Sequence, residues 1–170
     1  LLGLLNAKPI WFFLKGISDA MRGGEWRIRL FSQNIERIPI PTATDEQKQA
    51  ISDLAHQCQT NAQARYELEQ KVQRRLLQNL RPANNNESLN TKLNEWWKLA
   101  TVTELATEAA KAFKLKKSET LKVDLSNPAK QDEWEQYLND NTRQWQAYTQ
   151  TIKSLEQQIN TAVYTLFKLT

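Results

Sequence analysis

At 170 residues, with a net charge of +4 and a mean hydropathy of −0.67, the chain has room for one core-bearing domain or for a small domain with an extension. No catalytic domain of any size fits beside such an arrangement, and the mild basic balance permits a polyanionic partner without requiring one. The single cysteine, Cys58, excludes an intramolecular disulfide framework and a cysteine-rich zinc site, and leads to an expectation of a cytoplasmic location.

The chain opens LLGLLNAKPIWFFLKGISDA, and its one methionine is Met21. This predicts a piece of a longer protein, with any catalytic part upstream. The opening lacks the basic region and cleavage site of a signal peptide. Asn6, Lys8, Pro9 and Lys15 interrupt it well short of the ~18–20 apolar residues of a membrane span. Apolar residues point in every helical direction through residue 17, which predicts burial on several sides, with Pro9 at a break between two helical pieces. Gly23-Gly24 then predicts a turn; no glycine follows it anywhere in the chain. EWRIRLF alternates Trp26, Ile28 and Leu30 with Arg27 and Arg29, the pattern of a half-buried strand with a basic outer face. A polar turn follows, and IPIP, ending at Pro41, is extended because each residue before a proline is pushed out of the helical region.

Thr44 and Gln47 have the spacing of a capping box and predict a helix from Asp45 to about Leu80, stopping before Pro82. Residues 89–117 read as one or two helices, and ETLKVDLSNP as a short strand or an extended connector. Asn127-Pro128 starts a last helix, with a good cap and a proline in the first turn. Along that helix Leu138, Asn141, Trp145, Tyr148, Ile152, Leu155, Ile159, Ala162 and Leu166 recur at spacings of three and four, a heptad seam with one polar intrusion. Ile51, Leu54, Cys58, Ala62, Leu68, Val72 and Leu76 form a weaker stripe on the earlier helix. The expected arrangement is an antiparallel helical hairpin, a rod of roughly 55 Å at 1.5 Å per residue, with the middle segment as a removable accessory unit at its tip.

Three stretches together, LLGLLNAKPIWFFLKGIS, RGGEWRIRLFSQNIERIPIP and LEQQINTAVYTLFKL, resemble the carboxy-terminal, TaqI-like specificity region of type IIG-like restriction–modification enzymes. These enzymes join an adenine-specific DNA methyltransferase to a target-recognition domain. The resemblance rests on Leu4-Leu5-Asn6-Ala7-Lys8, on Ile38 to Pro41, and on Leu155-Glu156, Ile159, Val163-Tyr164, Leu166 and Leu169. Ala7 stands where serine is common and Asn160 where the family usually has aspartate; both departures read as structural. The resemblance covers residues 1–54 and 151–169, whereas 81–128 match no known pattern. It implies a mainly α chain: the end of a small α/β recognition domain (1–41), a long helix (42–81), a helical insertion (82–127) and a long C-terminal helix (128–170) packing back on 42–81. No Asn-Pro-Pro-Tyr motif or glycine-rich methyl-donor loop is present. The resemblance therefore implies S-adenosylmethionine only for the longer polypeptide, and no cofactor or catalytic residue here. The implied partners are double-stranded DNA and the upstream methyltransferase domain, with no membrane; the seam offers a route to self-association. A helical protein-interaction module without nucleic acid is the rival.

Arg22, Arg27 and Arg29, with Lys15, are the candidates for DNA contact, since arginine pairs with phosphate or reads guanine. The competing reading is a solvated sheet edge. Gly23-Gly24 either lets backbone amides approach a phosphate or only sets up the strand, and Trp26 either stacks on a base or packs in the core. Lys111, Lys114, Lys116 and Lys117 form a second basic cluster. Lys114 and Lys117 are secondary candidates for DNA contact, against the alternative of a solvated helix end. His56 beside Cys58 lacks the further ligands or acid that a metal or nucleophile site needs. Trp96, Trp97 and Trp134 read as cement between the insertion and the hairpin.

Overall fold

A computed structural model describes residues 1–18 and 31–169. The predicted Gly23-Gly24 turn and the strand around Trp26 to Leu30 lie outside these residues. The rest is mainly α, with no strand among the described residues. Two short helices open the chain, α1 (Leu2–Leu5) and α2 (Lys8–Ile17). They break at Asn6-Ala7, and Pro9 sits in the first turn of α2, where its missing N–H costs nothing. The predicted polar turn is a one-turn helix, α3 (Ser32–Glu36), and Ile38 to Pro41 is irregular. Helix α4 (Asp45–Leu80) starts on the predicted capping box. There the Gln47 N–H donates to Thr44 Oγ1 at 3.3 Å, and the Thr44 N–H donates to Gln47 Oε1 at 2.9 Å.

The middle segment is more finely divided than its apolar pattern suggests. It holds α5 (Thr91–Asn94), a 3₁₀ turn (Trp96–Lys98) and α6 (Val102–Ala112). Asn90 and Thr101 cap the two α-helices through their side chains. ETLKVDLSNP is an irregular connector of bends and turns rather than a strand: Lys122 N–H donates to the Leu80 carbonyl at 3.1 Å, and its ammonium to the Gln78 carbonyl at 3.0 Å, which satisfies carbonyls at the end of α4. Helix α7 (Pro128–Leu166) begins behind Asn127, whose Oδ1 accepts from the Ala129 N–H.

With no glycine available, α6 and α7 end on lysines in the left-handed conformation, Lys114 (φ 51°) and Lys168 (φ 55°). After α6 the Leu115 N–H reaches the Ala110 carbonyl and the Lys114 N–H that of Lys111. After α7 the Leu169 N–H reaches Tyr164 and the Lys168 N–H reaches Thr165. These are Schellman closures, in which the hydrogen bonds offset the strain of a side chain at positive φ.

The chain divides into two compact units, Leu1–Asn61 with Gln150–Thr170, and Ala62–Thr149. In the first, Leu4, Ala7, Ile10 and Leu14 pack with Ile51 and Ala55 of α4 and with Ile159 and Val163 of α7. The N-terminal apolar run is thus buried on one face only, not on several sides. Trp11 and Phe12 stay 40% and 82% exposed, because α4 and α7 cover just the side that carries the i, i+3, i+4 set. The second unit buries Val72, Leu76 and Leu80 with Leu93, Trp96, Leu105, Phe113, Trp134 and Leu138. Fully burying each such apolar side chain contributes about 1.5–3 kcal/mol. Here α4 and α7 run antiparallel: Arg65 bonds Thr149, Glu69 accepts from Trp145, and Arg75 pairs with Glu133.

Candidate nucleic-acid interface

Of the side chains that the sequence nominates for DNA contact, Arg22, Arg27 and Arg29 lie outside the described residues. Lys15 lies in the last turn of α2, exposed, beside Lys8, Trp11 and Phe12. Lys114 and Lys117 belong to the second unit. Lys114 pairs with Glu87 at 2.8 Å, and Lys111 with Glu108 at 2.9 Å. Glu108 is 5% exposed and also takes Lys92, at 3.2 Å. Hydrogen bonds from Lys111 and then Lys92 hold its carboxyl below the usual glutamate range, against the opposing effect of burial. Two cations of this cluster therefore already have carboxylate partners within the fold.

A different set of cations converges in the second unit, with a single carboxylate partner among the described residues, Glu133 on Arg75. Lys71, Arg74, Arg75 and Gln78 share one face of α4 by their i, i+3, i+4, i+7 spacing. With Asn79 and with Tyr137 of α7 they line a cleft of about 460 Å3. No carboxylate is among the lining residues. Neither Lys71 nor Arg74 makes an ion pair with the described residues, whereas Arg75 is held from three sides. Its guanidinium carbon lies 3.9 Å from the Tyr137 ring centre and 5.4 Å from that of Trp134, and one terminal nitrogen is 3.3 Å from Glu133. Arg75 Nε and the Tyr137 hydroxyl are buried with no hydrogen-bond partner among the described residues. Burial raises the Tyr137 phenol above its ordinary range, and the Arg75 charge opposes the rise. The sequence signal for this cleft is Lys71-x-x-Arg74-Arg75, a basic run that became legible only once Tyr137 was seen to face it.

Asn160 of α7 accepts the Lys8 N–H at 2.7 Å. Ala7 offers no side-chain cap to α2, so Asn160 supplies one from the far end of the sequence. His56 is exposed and lines a cavity of about 410 Å3 together with Leu1, Leu4, Lys48, Ile51 and Gln59. No group of three metal-ligating side chains occurs among the described residues. No helix among them is long and apolar enough to cross a membrane.

No curated protein and no solved structure matches the chain. One protein-family profile does, over residues 44–163, from the capping threonine of α4 to the last fully buried residue of α7. That span takes in α4, nearly all of α7 and everything between them, so the chain belongs to the family described as Domain of unknown function (DUF8810).

Proposed function

We propose that the chain is the DNA target-recognition and spacer part of a restriction–modification methyltransferase/endonuclease subunit. It works in the cytoplasm on double-stranded DNA, beside the methyltransferase domain of the same polypeptide. The observation that supports this reading is the composition of the first unit. The two stretches that carry the resemblance, 1–54 and 151–169, are far apart in sequence, yet they share one core through Leu4, Ile10, Ile51, Ile159 and Val163. The Asn160–Lys8 bond joins two of the motif positions themselves. In this reading the chain has no catalytic residue, and S-adenosylmethionine belongs to the methyltransferase part. Arg22, Arg27, Arg29 and Lys15 contact DNA.

The test is Arg27→Ala/Arg29→Ala in the full-length polypeptide. Loss of two phosphate contacts weakens binding to all sequences alike and flattens the dependence of log affinity on log salt by roughly one unit per contact. Loss of a guanine contact costs about 1–3 kcal/mol at one base position and relaxes specificity there. Unchanged affinity, salt slope and sequence preference would sink the assignment. The rival, a protein-docking module, is favoured by the exposed Trp11 and Phe12 of α2 rather than by the α7 seam, since Ile152, Leu155 and Ile159 are buried within the chain.

A further inference from the structure

We propose that the cleft formed by Lys71, Arg74, Arg75, Gln78, Asn79 and Tyr137 binds the phosphate backbone of duplex DNA. The proposal deepens the DNA reading above and rests on it, but it adds a contact surface outside the stretches that carry the resemblance.

The lining is made of hydrogen-bond donors. Lys71, Arg74 and Arg75 bring three positive charges and no acceptor, and the Gln78 and Asn79 amides and the Tyr137 hydroxyl can donate as well. No carboxylate lines the cleft, and of the three charges only Arg75 has a carboxylate neighbour among the described residues, Glu133, so the field there favours an anion. Arg75 is pre-organised for such a ligand. Tyr137 and Trp134 hold its guanidinium by stacking, which removes much of the side-chain entropy that an arginine otherwise loses on binding. Among the described residues the buried Arg75 Nε and Tyr137 hydroxyl have no hydrogen-bond partner, and the free energy that this costs is returned when either turns toward an arriving oxyanion. A phosphate oxygen, with several lone pairs, can accept from both kinds of donor.

Two observations favour a polymer backbone over a lone phosphate ion. Lys71 and Arg74 are exposed, so one oxyanion gains little from either in water. A backbone that engages several cations at once gains by releasing condensed counterions with each. From Lys71 to Gln78 the helix advances about 10 Å, long enough for more than one phosphate of a strand that carries a charge every ~3.4 Å of axis.

The experiment compares wild-type full-length polypeptide with Lys71→Ala/Arg74→Ala and with Tyr137→Phe. Binding to a short duplex is followed by fluorescence anisotropy across about 50–200 mM salt. The double alanine variant is expected to melt like wild type, since both side chains are exposed. It is expected to bind roughly tenfold more weakly at low salt, with a slope shallower by roughly two units. Tyr137→Phe removes a donor but no charge, so affinity falls a few-fold at an unchanged slope. Inorganic pyrophosphate, titrated calorimetrically, separates the sources: binding of pyrophosphate by a cleft whose alanine variant still holds duplex normally would make it a small-anion site and overturn the proposal. Duplex binding that is lost in Arg27→Ala/Arg29→Ala yet intact in Lys71→Ala/Arg74→Ala would overturn the cleft and leave the DNA reading standing. A wild-type polypeptide that binds no duplex at any of these salt concentrations would overturn both.

Discussion

Gly3 lets α1 lie close against α4. A methyl group built there would lie 2.8 Å from Ile51 Cγ2 and 3.3 Å from the Ala55 methyl. The Ile51 branch is fixed on its own β-carbon, so it cannot swing away, and the backbone must shift instead. Gly3→Ala is therefore expected to destabilise the first unit by about 1–3 kcal/mol, the usual cost of overpacking. Gly16, in α2, has nothing within 4 Å of the same position, and Gly16→Ala should stabilise by about 0.5–1 kcal/mol. Thermal melts of the pair check both signs. Glu108 supplies a pH-dependent case. Its carboxyl titrates below the ordinary glutamate range in the folded chain because Lys111 and Lys92 bond the charged form. The stability it contributes is full well above the unfolded glutamate range and is lost as pH falls through the lowered folded value. The melting temperatures of wild type and Glu108→Gln should differ most at neutral pH and converge in acid. A constant gap at every pH would remove the ion pairs as its cause.

At the scale of elements, the long helices were the legible part. Thr44 with Gln47 and Asn127 with Pro128 set their starts by local chemistry, and α4 and α7 begin where those residues put them. The seam of α7 read from its spacing is buried at Leu138, Ile152, Leu155 and Ile159. Its polar intrusion, Asn141, is 7% exposed and satisfied by its own helix, donating to the Tyr137 carbonyl at 2.6 Å. Ile152→Ala should cost about 2–5 kcal/mol in a denaturant titration, and a near-neutral result would show that the site collapses freely or faces another molecule. The short elements were not legible. α3, α5 and the 3₁₀ turn span a single turn each, too few residues for a period to emerge, and they are fixed by caps and by tertiary packing. Lys71, Arg74 and Arg75 were equally visible as residues, but nothing local says that α7 will lay Tyr137 across them.

On the scale of the whole molecule, the middle segment is not a detachable accessory. Trp96 and Phe113 are fully buried in the same core as Val72, Leu76 and Leu80, and Trp97 stacks on Trp145 at 4.5 Å. Joining Arg81 to Ala129 through a flexible linker should therefore expose the apolar face of α4. Loss of cooperative melting and binding of a hydrophobic dye are the expected outcome; a variant that melts like wild type would make the segment accessory after all. The first unit has a different kind of dependence. Its core draws on Leu4 and Ile10 at one end of the chain and on Ile159 and Val163 at the other, while Ala62–Thr149 is continuous. During synthesis, then, the middle of the chain can fold as it leaves the ribosome, while α1 and α2 emerge before it and wait for the last turns of α7. The apolar face of α1 and α2 spends that interval without Ile159 and Val163, so slower translation is expected to lengthen the time for which that face is open to other apolar surfaces.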